Sequence, residues 1–152
     1  MHASASEALA ALPGVRDLEL RGGGAPACRA LAGCGALPQL ERLRMQGYES
    51  GKRGEGIDFF WGLSKAGALL SSLTYLELHT ERDRIDGEDT QVIATLCPAL
   101  RELSLSGVET GSSGNWAAAR LPHLTRLRVT GDLDCGAPLA DWAPAGCRLR
   151  RG

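Results

Sequence analysis

The sequence predicts an α/β solenoid: a curved parallel sheet of about five short strands, stacked one repeat after another. Three observations lead there. A fixed apolar phrase returns five times, the last two apolar residues of each return stand two apart, and the stretches between returns leave room for a crossover. The returns are LPGVRDLEL from Leu12, LPQLERLRM from Leu37, LSSLTYLEL from Leu70, CPALRELSL from Cys97 and LPHLTRLRV from Leu121.

Each phrase has four apolar slots. The last two are Leu18 and Leu20, Leu43 and Met45, Leu76 and Leu78, Leu103 and Leu105, and Leu127 and Val129. Two-residue spacing puts both on one face of a strand. The first two slots hold the turn that leads in. Pro13, Pro38, Pro98 and Pro122 follow the first slot in four returns, and proline suits an entry turn but cannot donate to a ladder. First slots at 12, 37, 70, 97 and 121 give intervals of 25, 33, 27 and 24. One repeat cannot close a core, whereas stacked repeats cover one another's slots. A fully buried leucine contributes roughly 1.5–3 kcal/mol, so about twenty slots suffice to hold a small domain against its chain entropy.

The fourth repeat, IDGEDTQVIATLCPALRELSLSG from Ile85 to Gly107, resembles the cysteine-containing repeats of F-box leucine-rich-repeat proteins. Ile85 and Asp86 match that family's turn, Val92, Ile93 and Leu96 its helix, and Cys97-Pro98 its entry to the strand. The resemblance implies a leucine-rich repeat fold: a right-handed βα superhelix with helices on the convex side. It also implies protein recognition, with substrate recognition for an SCF-type ubiquitin ligase as one version. The family's usual Asn or Cys three residues past the fourth slot is replaced by Gly23, Tyr48, Glu81, Val108 and Asp132. Glycine after the strand, at Gly22, Gly47, Gly107 and Gly131, suggests that backbone freedom makes the bend.

The expected organisation is one domain over residues 1–152. Its start, about 1–11, reads as a helical cap with Ser6 as N-cap, and its end, about 135–152, as a cap or partial repeat in which Cys147 and Leu149 supply an edge strand. Between the second and third repeats, Gln46 to Gly56 is Gly-rich and charged and reads as a loop. The run IDFFWGLSKAGALL that follows reads as a helix. Its Phe59, Phe60, Trp61 and Leu63 wrap most of the circumference, so the aromatics Phe59, Phe60 and Trp61 are either core of a thick crossover or a second partner-binding patch. Ser112 or Ser113 would cap a short helix carrying Trp116.

Composition narrows function by exclusion. Seventeen Lys and Arg against 18 Asp and Glu give a net charge of −1, so neither a nucleic-acid surface nor a basic membrane face is implied. No apolar run approaches membrane-spanning length, and MHASASEALAAL lacks the basic start and long apolar stretch of a signal peptide. The five cysteines, Cys28, Cys34, Cys97, Cys135 and Cys147, have no zinc-finger spacing and do not cluster with His2, His79 or His123. Reduced thiols in the cytoplasm or the nucleus follow, with Cys97 buried and no metal, cofactor or small-molecule substrate expected.

Function is left to the outward positions, which should form columns along the concave face. One column holds Asp17, Arg42, Tyr75, Glu102 and Arg126, the next Glu19, Arg44, Glu77, Ser104 and Arg128, and the third Arg21, Gln46, His79, Ser106 and Thr130. Alternating signs allow the pairs to satisfy one another across strands, and the same side chains suit recognition of a protein. The candidates for partner binding are Arg42, Arg44, Tyr75, Glu77, His79, Glu102, Arg126 and Arg128, with Tyr75 as the one aromatic among them. His79, Ser106 and Glu77 are the residue types of a hydrolytic triad. Glu77 and His79 lie along one strand, however, about 7 Å apart, which strains a carboxylate–imidazole bond. No catalytic residue is therefore assigned. The alternative to a recognition module is a structural component of a larger assembly, such as a cytoskeletal one.

Overall fold

A computed structural model describes residues 14–21, 39–46, 55–65, 67–79, 85, 87–109, 121–132 and 143–151. They form an α/β arrangement with an open six-stranded parallel sheet: β1 Asp17–Arg21, β2 Arg42–Gln46, β3 Tyr75–His79, β4 Glu102–Glu109, β5 Arg126–Asp132 and β6 Arg148–Arg151. Spatial order equals chain order. Among the described residues two helices lie in the crossovers, α1 Glu55–Lys65 before β3 and α2 Gly87–Leu96 before β4. The expected cap at 1–11, residues 135–142 of the expected cap at 135–152, residues 47–54 of the expected loop and the Trp116 segment lie outside the described residues, as do Cys28, Cys34 and Cys135. The loop expected over Gln46–Gly56 is shorter at both ends, since Gln46 belongs to β2 and Glu55 and Gly56 to α1.

Register follows the phrase. The third slots pair as Leu18↔Leu43↔Leu76↔Leu103↔Leu127, and the fourth as Leu20↔Met45↔Leu78↔Leu105↔Val129. From β2 to β5 all of these side chains are buried, together with second slots Leu40, Leu73, Leu100 and Leu124 and first slots Leu70, Cys97 and Leu121. In β1, Leu18 and Leu20 are half-buried against the same cluster.

Among the described residues, the turn before the strand recurs in the third, fourth and fifth phrases. A backbone N–H donates back three residues from Leu73 to Leu70, Leu100 to Cys97 and Leu124 to Leu121, at 3.1–3.2 Å. Adjacent repeats are then tied where one carbonyl accepts two amides of the next repeat. Glu41 O accepts from Thr74 and Tyr75, Thr74 O from Arg101 and Glu102, and Arg101 O from Thr125 and Arg126. The sixth strand has the same turn, from Cys147 N–H to Pro144 O at 3.1 Å, but only Arg148 N–H reaches Thr125 O. Two residues separate Leu124 from Leu127, and one separates Cys147 from Leu149. The sixth phrase is thus one residue short and ends on Arg151 opposite Val129, so the sheet has six strands where five phrases were visible.

Two expectations on local structure change. The helix expected over Ile57–Leu70 stops at Lys65. Gly67 takes φ +66° and donates to Ser64 O, while Ala68 donates to Leu63 O. This is a Schellman closure, which glycine adopts without a Cβ penalty, and it frees Leu70 for the entry turn. Gly107 does not end β4 either. At φ +76° it is the extra residue of a bulge, because register shifts between Ser106 and Val108 and the ladder continues to Glu109↔Asp132.

Helix α2 carries Glu88 and Asp89 in its first turn, where the helix dipole favours negative charge. It buries Thr90, Val92, Ile93 and Leu96. The Thr90 hydroxyl donates to Gly87 O, which satisfies the one buried polar side chain among the described residues. Ile85 is fully buried and its N–H reaches Gly107 O at 3.3 Å.

Candidate functional site

The face of the sheet opposite the leucines carries the charged side chains, and the pairing sets them in the expected columns. The first runs Asp17↔Arg42↔Tyr75↔Glu102↔Arg126↔Arg148, the second Glu19↔Arg44↔Glu77↔Ser104↔Arg128↔Arg150, and the third Arg21↔Gln46↔His79↔Ser106↔Thr130. All eight candidates for partner binding therefore stand on one face. Arg148 and Arg150 join them and were missed. The signal was present: the tripeptide Arg-Leu-Arg occurs at 42–44, 126–128 and 148–150, each time with its leucine in the third slot.

The β1–β3 end is electrostatically closed. Arg42 Nε lies 3.4 Å from Asp17, and Arg44 stands between Glu19 and Glu77, 3.9 Å from each. Arg21 Nε donates to Glu19 at 2.6 Å, and this bond is the main reason the Glu19 carboxyl is held below the usual range. The Tyr75 hydroxyl donates to Glu77 Oε2 at 2.7 Å, while the guanidinium carbons of Arg42 and Arg44 lie 4.2 and 5.5 Å from its ring centre. Tyr75 is thus clamped by two cation–π contacts and a charge-assisted hydrogen bond. Burial first, and then Glu77, pushes its hydroxyl above the ordinary tyrosine range.

The β4–β6 end is different. Arg126 reaches Glu102 at 3.3 Å, and among the described residues Arg128, Arg148 and Arg150 form no ion pair. These four arginines are exposed and border a cavity of about 460 Å³ that extends to Tyr75 and Glu102.

His79 Nδ1 and Ser106 Oγ are 2.8 Å apart, as their shared column requires. Glu77, two residues from His79, accepts the Tyr75 hydroxyl instead. An imidazole–hydroxyl pair is thus present, and the Glu77 carboxylate is bonded away from it. Among the described residues, no group of His, Cys, Asp and Glu could hold a metal ion. No described helix is long and apolar enough to cross a membrane.

The aromatic run on α1 divides. Phe60 is fully buried in the core, which removes it from any surface patch, and the side chain of Phe59 lies outside the described residues. Trp61 is half-buried and its indole N–H donates to Asp89 Oδ1 at 2.9 Å, tying α1 to α2. Cys97 occupies its apolar slot as a free thiol that burial pushes up to about 12, and Cys147 is free and half-buried. No family model, no curated protein and no solved structure matches this chain.

Proposed function

We propose that the chain is a leucine-rich repeat solenoid that binds a protein partner on the polar face of its sheet, which such a solenoid makes concave. One observation carries this: parallel register that holds through all three columns lays a continuous field of long polar side chains, with Tyr75 near its middle, on a rigid ladder. Tyrosine buries much area at low entropic cost, and arginine makes fixed, forked contacts, so both suit the centre of an interface. The Cys97-Pro98 entry and the helix before it favour one version, the substrate-recognition arm of an SCF-type ubiquitin ligase in the cytoplasm or the nucleus.

The function is recognition and not catalysis, because Glu77, the carboxylate two residues from His79, is already bonded to Tyr75. If a hydrolytic activity were found, His79→Ala should leave it unchanged. A structural role in a larger assembly is the second reading, since β1 and β6 are the sheet's edges; concentration-dependent growth in size-exclusion chromatography would favour it. The recognition reading is tested by proximity labelling with the wild-type chain and a Tyr75→Ala/Arg42→Glu variant of equal folded content. Loss of the labelled partners is expected. Their full retention would exclude the sheet face.

A further inference from the structure

Four guanidinium groups on adjacent strands form a tile. Arg126 and Arg128 on β5 stand in register with Arg148 and Arg150 on β6. Neighbouring strands lie about 4.8 Å apart, and residues two apart along a strand about 7 Å, so the tile is compact. General basicity does not explain it, because the chain has a net charge of −1. Nor is it internally compensated. Glu102 faces Arg126, and among the described residues the other three arginines have no acidic partner. Like charges held this close on a rigid ladder repel one another, and an anion relieves the repulsion as it binds.

We propose that this tile takes an acidic segment of a protein partner, laid in extended form along β5 and β6 with its carboxylates on the arginine forks. This rests on the recognition reading above and names its partner's chemistry. Charge complementarity is the first support. The second is spacing: an extended peptide places side chains i and i+2 on one side, about 7 Å apart, which is the separation of Arg126 from Arg128 and of Arg148 from Arg150. Arginine, with its planar fork, pairs with carboxylates bidentately. The cavity of about 460 Å³ reaches from the tile to Tyr75, which gives the segment's apolar neighbours an aromatic ring to pack on.

Fluorescence anisotropy tests the proposal, with a labelled glutamate homopeptide as the probe and the full chain as receptor. Binding at low salt should weaken steeply as salt is added, because the groups are exposed. Arg128→Glu/Arg150→Glu should weaken it at least about tenfold. Arg16→Glu/Lys65→Glu changes net charge equally away from the tile and should leave most of the binding intact. A lysine homopeptide should not bind. Absent binding, or equal losses in the two double variants, would overturn the proposal. Binding of a phosphoserine peptide without binding of the glutamate peptide would also overturn it, in favour of phosphate recognition. If Tyr75→Ala/Arg42→Glu loses the labelled partners while Arg128→Glu/Arg150→Glu keeps them, the tile fails and the recognition reading stands.

Discussion

The two ends of the polar face use the same tripeptide to opposite effect. On β2, Arg42 and Arg44 have acidic neighbours in the columns on either side or an aromatic ring to lie against, and their charge is spent within the fold. On β5 and β6, Arg126 stands opposite Arg148 and Arg128 opposite Arg150. Within the three columns, three carboxylates meet three guanidiniums across β1–β3, whereas Glu102 alone meets four across β4–β6. Residue type therefore does not set an arginine's role on such a sheet. Register does, by choosing its neighbours. A surface whose charges are paired resists rearrangement, and one whose charges are unpaired favours an external counter-charge.

Both ends rest on one apolar ladder, so the largest effect comes from breaking it. Leu103→Asp buries an unpaired charge between Leu76 and Leu127 and should cost several kcal/mol in urea denaturation, on the order of 3–5. Ser104→Asp, one residue on, points to the polar face between Glu77 and Arg128 and should be mild. Equal losses would mean that the inward and outward positions are exchanged.

A smaller effect comes from Cys97. Unfolded, its thiol ionises near 9.0; folded, near 12. Between those values the unfolded chain releases a proton that the folded chain keeps. This contribution is fully present below pH 9 and is lost as pH rises toward 12, by roughly 1 kcal/mol per pH unit. A Cys97→Val variant should lack that part of the slope. Identical slopes in the two proteins would place Cys97 outside the core.

Much of this was legible in the sequence because four slots at fixed spacing determine which side chains point inward, and the gaps then determine the columns. Three things were hidden for physical reasons. The edge strand expected around Cys147 and Leu149 is present as β6, but its turn is a residue shorter and its last slot holds Arg151, so its register was hidden and Arg148 and Arg150 were not placed on the face. The end of α1 depended on Gly67 closing the helix, which apolar periodicity alone does not reveal. The aromatic run was ambiguous because adjacent helical residues point to different sides: Phe60 faces the core, and Trp61 turns to Asp89.

The contrast between the two ends can be tested without any ligand, by comparing Arg44→Glu with Arg128→Glu in chemical denaturation at low salt. Arg44→Glu removes two attractions and sets three carboxylates in a row, Glu19, residue 44 and Glu77, so its unfolding midpoint should fall. Arg128→Glu places a carboxylate beside Arg126 and Arg150, so its midpoint should hold or rise. Added salt should shrink both changes. Equal drops in the two variants, or a fall for Arg128→Glu alone, would contradict a face paired at one end and unpaired at the other.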